Sequence, residues 1–186
     1  MTRSSRWPWT ASGSPTASPA GWTRAPVISE VPIRFHGGRV APISVGAPLV
    51  FVLADSGHAG STATAVGAVK ASLEADPARI TGIIDRLGEI AEASLEQLSA
   101  GDGETLGCQM SEAHGHLAEL GVSDVALERL IDAASAAGAL GAKLTGGGRG
   151  GCVIALARDD EHGAHLEHAL RSAGAARTWR TTVGAA

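Results

Sequence analysis

With 186 residues, 44% of them apolar, the chain can bury a core of ordinary single-domain size. Its formal net charge of −4 gives no electrostatic reason to bind nucleic acid or an anionic membrane, and it contains no run of eighteen apolar residues that could cross a bilayer. Two cysteines, Cys108 and Cys152, are too few for a disulfide framework or a zinc site; they suit a reducing cytoplasm and are expected as small buried hydrophobes.

Residues 1–26 stand apart. They hold three of the four tryptophans and four of the eight prolines, with no Asp or Glu. Neither helical nor strand periodicity runs through them. They lack the apolar centre of a signal peptide and the aliphatic content of an amphipathic transit helix. An irregular segment over 1–26 and a folded domain over 27–186 is the expected division.

From residue 27 the pattern is regular. Residues 31–35 and 49–54 read as strands, rich in β-branched and aromatic side chains. Ser61 or Thr62 caps a helix over 63–75. Asp76 and Pro77 open a long amphipathic helix that ends at Gly101. A third helix carries Leu106, Met110, Ala113, Leu117 and Leu120 up to Gly121, and Ser123 is the expected cap of a fourth. Residues 143–145 and 152–157 are strands around a glycine loop. A last helix over 160–173 stops at Gly174, and 178–183 close as a strand. Strands and helices without strict alternation of the two predict an α+β fold, with helices on one face of an antiparallel sheet.

The loop is the most informative stretch. Gly146, Gly147, Gly148, Gly150 and Gly151 fall within six positions, after Lys143 and Thr145 and before the apolar run from Cys152. Glycines tolerate left-handed backbone and let main-chain N–H groups converge on an anion. A plain hairpin turn needs one or two. The lysine precedes the glycines, so this is not the nucleotide loop of Gly-x-x-x-x-Gly-Lys-Ser/Thr type. The segment after them reads as a strand, so it is not the dinucleotide fingerprint either.

Lys143 to Cys152 resembles the third conserved motif of the GHMP kinases, and within them the Lys-Leu-Thr-Gly-x-Gly-x-Gly-Gly-Cys segment of the mevalonate kinase branch. Residues 48–70, an apolar strand leading into a loop that ends Ser-Thr and then a helix, are similar to that branch, as are residues 29–35. The resemblance covers roughly 27–183. It implies a ferredoxin-like C-terminal domain with added helices. It further implies transfer of the ATP γ-phosphoryl group to mevalonate in isoprenoid synthesis, with ATP and Mg2+ as cofactors and a cytoplasmic location, and it leaves room for a homodimer.

Where the family carries Pro-Ser-Gly-x-Asp, with the aspartate as catalytic base, this chain reads SPTASPAGWTRAP with no Asp. The family's Pro-x-x-x-Gly-Leu-Gly-Ser-Ser loop, which binds ATP and magnesium, is also absent from the sequence. The TGG codon of Trp22, read in the neighbouring frame after a C, opens Leu-Asp, so residues 1–26 are expected to be a frame-shifted remnant of the catalytic loop. The catalytic residue is therefore unknown, and the chain by itself is expected to be inactive. Two other readings stay open: a different GHMP small-molecule kinase, or a non-catalytic ferredoxin-like ligand-binding module.

For the site residues, the resemblance puts the loop Lys143, Thr145, Gly146, Gly147, Gly148, Arg149, Gly150 and Gly151 beside phosphate and acceptor, and Ser61 and Thr62 on the substrate side. Each has a second reading. Arg149 clamps an anion or points to solvent. Lys143 braces the loop, pairs with a carboxylate or ends a strand in water. Thr62 bonds substrate or only helps cap its helix. Asp55 reads as a turn former rather than a metal ligand, and no metal site is expected. The three-residue spacing of His162, His165 and His168 reads as a solvated helix face.

Overall fold

The computed structural model describes residues 31–184; the predicted irregular segment 1–26 lies outside them. Strands β1 (Ile33–His36) and β2 (Arg39–Pro42) form an antiparallel hairpin. Its turn is Gly37–Gly38, both at positive φ, the backbone a two-residue hairpin loop requires. Val31, expected in a strand, precedes β1, and β2 is an element the sequence reading missed.

The main body follows as β3 (Leu49–Asp55), α1 (Thr62–Ala75), α2 (Pro77–Ala100), α3 (Gly103–Glu119), α4 (Val125–Ala136), β4 (Gly141–Thr145), β5 (Cys152–Ala157), α5 (Asp160–Ser172) and β6 (Arg177–Val183). The four long strands form one antiparallel sheet in the order β4-β5-β3-β6. In chain order this is strand, helical excursion, two strands, helix, strand, with the first and last strands adjacent. That is the ferredoxin-like plait, and the expected α+β class holds.

Strand alternation sorts the side chains. Val50, Val52, Ala54, Ala142, Leu144, Val153 and Ala155 share one face, packed with Leu127, Leu130 and Ile131 of α4 and Leu166 and Leu170 of α5. Each fully buried leucine there contributes roughly 1.5–3 kcal/mol of transfer free energy. Leu49, Phe51 and Leu156 point the other way and meet Leu106 and Met110 of α3, so helices cover both faces of the sheet rather than the single face expected, because its strands carry apolar side chains on both sides. Helix α3 can lie this close to the edge strand because two glycines meet: a Cβ on Gly107 would overlap the Leu140 backbone, and one on Gly141 the Gly107 backbone.

The helix boundaries follow their caps. Asp76 accepts from Arg79 N and Asp102 from Thr105 N. Gly101 ends α2 in a left-handed conformation. Ser123 is not the cap of α4: Asp124 Oδ1 accepts from Leu127 N at 2.9 Å, while Ser123 Oγ is buried without a hydrogen-bond partner. Asp124 has the extended backbone of a helix cap, φ −147° and ψ 171°, and this puts its carboxylate rather than the Ser123 hydroxyl at the helix start.

Candidate functional site

Strands β4 and β5 are joined by the glycine loop. Gly146, Gly148, Arg149, Gly150 and Gly151 all have positive φ, so the turn runs through backbone that side-chain-bearing residues disfavour. Arg149 is the one non-glycine at positive φ among the described residues, at a cost on the order of 1 kcal/mol. Its own bonds offset this: the backbone N–H donates to Val122 O at 2.7 Å and Nε donates to Gly121 O at 3.1 Å. Arg149 thereby pins the loop to the turn between α3 and α4.

A second segment, 56–61, laces the loop from the other side. Ser56 N donates to Gly151 O and Gly151 N donates to His58 O, each at 2.8 Å. A Cβ on Gly60 would overlap Gly148 O. Sequence reasoning passed over Ser56 and Gly60; the run Ser56-Gly57-His58 after a strand was the available sign of a tight loop.

With the amides of Arg149 and Gly151 engaged, those of Gly146, Gly147, Gly148 and Gly150 donate to no protein acceptor among the described residues. These residues line a cavity of about 330 Å3 together with Thr145, Gly151, Cys152, Leu53, Gly60 and Thr62. Unengaged amides lining one concavity are the donors that an anion nest requires. Thr62, in the first turn of α1, packs on Gly147 so closely that a Cβ there would overlap its Oγ1. Ser61 caps α1, its Oγ accepting from Thr64 N. Thr62, Gly146 and Gly147 also border a more apolar cavity of about 610 Å3 between α1 and α3, walled by Val69, Leu73, Leu117 and Leu120.

The structure thus brings Thr62 and Thr145 together with the loop glycines. Lys143 lies elsewhere: its side chain enters a cleft between α2 and α3, and Nζ donates to Leu144 O at 2.8 Å. Burial holds its pKa below the ordinary lysine value. Asp55 is a turn former, as expected: Oδ1 accepts from Gly57 N at 2.9 Å and Oδ2 from Arg177 Nη2 at 3.1 Å. Cys152 pairs with Asp55 across β3 and β5; burial, and secondarily the Asp55 charge, raise its thiol pKa. Cys108, expected to be buried, is exposed, because it sits on the outer side of α3. His165 and His168 are solvated as expected, but His162 is buried, with Nδ1 accepting from Arg158 N and Nε2 donating to Ala137 O. His114 is buried as well: Nδ1 accepts from Leu144 N–H at the sheet edge and Nε2 faces Glu128. No group of three or more His, Cys, Asp or Glu side chains among the described residues could hold a metal ion. No described helix is long and apolar enough to cross a membrane.

Comparisons with known proteins bear on this geometry. Residues 94–176 match the family model for the GHMP kinase C-terminal region, "GHMP kinases C terminal". Mevalonate kinase of Aeropyrum pernix is 41% identical over 110 residues, covering 53% of this chain and 34% of that protein. Mevalonate kinase of Pyrococcus furiosus is 37% identical over 131 residues, covering 68% of this chain and 39% of that protein. The chain therefore spans between a third and two fifths of the length of these curated relatives. Among solved structures, L. major mevalonate kinase in complex with R-mevalonate superposes with a TM-score of 0.75 at 31% identity, covering 82% of this chain and 48% of that one. A Streptococcus pneumoniae phosphomevalonate kinase, at 19% identity and a TM-score of 0.65, shares the fold.

Proposed function

The chain carries the C-terminal portion of a GHMP kinase, and from that premise we propose that it forms the phosphate- and acceptor-facing wall of an ATP-dependent mevalonate kinase site. The observation that carries this reading is that four residues with unengaged amides, Gly146, Gly147, Gly148 and Gly150, line one cavity together with Thr62. Preorganised N–H donors stabilise charge on phosphoryl oxygens without reorganisation during transfer. Thr62 supplies a hydroxyl within the same cavity for the acceptor alcohol or a phosphate oxygen. The relatives named mevalonate kinase support mevalonate as the acceptor, and the domain is proposed to begin near residue 27.

ATP fits this wall through its phosphates alone. The described residues offer no cluster of three or more metal-ligating side chains, so Mg2+ would be held through the nucleotide phosphates and water, and no step here is routed through a metal. The catalytic aspartate and the ATP loop of the family are not among the 186 residues. We therefore propose that these residues by themselves bind anionic ligand without turning substrate over, which is also what a non-catalytic ligand-binding module would do. A cytoplasmic location and a homodimer belong to the same proposal.

The test is an ADP-release assay on the purified chain with ATP, Mg2+ and mevalonate, beside calorimetric titration with ADP and with inorganic phosphate. Saturable anion binding without turnover is the expected result. Turnover above about 1 s−1, in the usual range for kinases, would overturn the inactivity, and absence of any anion binding would overturn the assignment of the loop.

A further inference from the structure

The cleft between α2 and α3 holds a combination of groups that the glycine-loop site leaves unused. Ile90, Leu106, Met110 and Ala113 wall a cavity of about 390 Å3, within the size range of small-molecule sites. Lys143 enters it from β4. Its ammonium has three donors, and the one protein acceptor recorded for it is Leu144 O. No carboxylate is among the residues lining the cavity; on the flanking helices Glu112 is engaged by Arg86 and His116, and Glu92 by Arg34. Gln109 lines the same cavity, and its Oε1 is buried without a hydrogen-bond partner. A half-turn of that amide puts N–H donors where the oxygen now lies.

A desolvated cation and an orphaned amide in an aliphatic cleft each lower stability unless a guest satisfies them. A bare inorganic anion would leave the aliphatic walls uncovered. A hydrocarbon would leave Lys143 without a counter-charge. We propose that this cleft binds an aliphatic monocarboxylate of roughly eight carbons, a size suited to such a cavity. The carboxylate lies on Lys143 Nζ and the Gln109 amide, and the chain runs along Ile90, Leu106 and Met110. The site is separate from the glycine loop, and the inference stands whether or not that loop binds phosphate.

The test titrates sodium octanoate, and octan-1-ol as its uncharged counterpart, into the 186-residue chain carrying 13C-labelled Ile and Met methyl groups. Octanoate is expected to shift the Ile90 and Met110 methyls saturably, with a Kd of about 1 mM or tighter, within reach of a ligand of this size. Octanol is expected to bind at least about tenfold more weakly, the loss of one charge-assisted bond. Lys143→Met should erase that preference, Ala113→Phe should block both ligands, and inorganic phosphate should not displace octanoate. Equal binding of acid and alcohol, an unchanged preference in Lys143→Met, displacement by phosphate, or no saturable shift would each overturn the proposal. Should Lys143→Met fail to fold, the comparison of acid and alcohol on the unaltered chain decides by itself.

Discussion

Thr62 and Gly147 meet so closely that one added carbon on the glycine would overlap the threonine Oγ1. The start of α1 and the tip of the β4–β5 hairpin are thus fixed against each other by a missing side chain. Gly147→Ala should destabilise the chain by about 1–3 kcal/mol through overpacking. Thr62→Ala should relieve much of this, leaving a coupling energy of about 1 kcal/mol or more in a double-mutant cycle measured by urea denaturation. Additive effects would mean that the two residues do not touch. The same Gly147→Ala change should weaken ADP and phosphate binding in calorimetry, because it displaces the amides beside it.

The cap of α4 separates two adjacent residues cleanly. Asp124→Ala removes the acceptor for Leu127 N–H and should cost about 1 kcal/mol. Ser123→Ala removes a buried hydroxyl that has no partner and should be neutral or slightly stabilising. Thermal melts of the two variants check this. A larger loss from the serine would restore it as the cap.

That pair also shows where the sequence was legible. Helices α2 and α5 were readable almost to the residue, because caps and stops are local: Asp76, Pro77 and Gly101 act on backbone within one turn of themselves. The choice between Ser123 and Asp124 turns on a backbone angle, and both residue types are good caps. Strand β2 escaped because all four of its residues are exposed, so no alternation marks it; the Gly37–Gly38 pair after Phe35 was the available signal. The approach of Gly107 to Gly141, the engagement of Leu144 N–H by His114 and the lacing of Gly151 to His58 are long-range. Nothing in the spacing of the chain announces them. The glycine loop stood out by composition, but its pairing with Thr62 came from a family resemblance, and the diversion of Lys143 into another cleft is a product of strand alternation beside α3.

The two cysteines should react at different rates. Burial raises the Cys152 thiol pKa, the facing charge of Asp55 raises it further, and Arg177 opposes both. Cys108 is exposed. Since the thiolate is the nucleophile, iodoacetamide near pH 8 should alkylate Cys108 well before Cys152, as read by peptide mass mapping. Asp55→Asn should speed Cys152 by removing one of the charges that holds its proton. Equal rates in the native chain would contradict the burial of Cys152 between β3 and β4.

The alkaline limb of stability should report on Lys143. Burial lowers its pKa in the folded chain, so the folded state binds this proton less tightly than the unfolded state does. The sign follows by linkage: the contribution is fully present above the unfolded value of about 10.4 and is lost as pH falls through the lower folded value. Free energy of unfolding should therefore gain a rising component as pH climbs toward about 10.4. The chain has no tyrosine and one other lysine. That residue, Lys70, is exposed and 3.9 Å from Glu74, and it is common to variant and parent. Urea denaturation across this window should show the rising component in the parent and its loss in Lys143→Met. If the two curves stay parallel, the ammonium is solvated, and the cleft between α2 and α3 holds no buried charge for a carboxylate to meet.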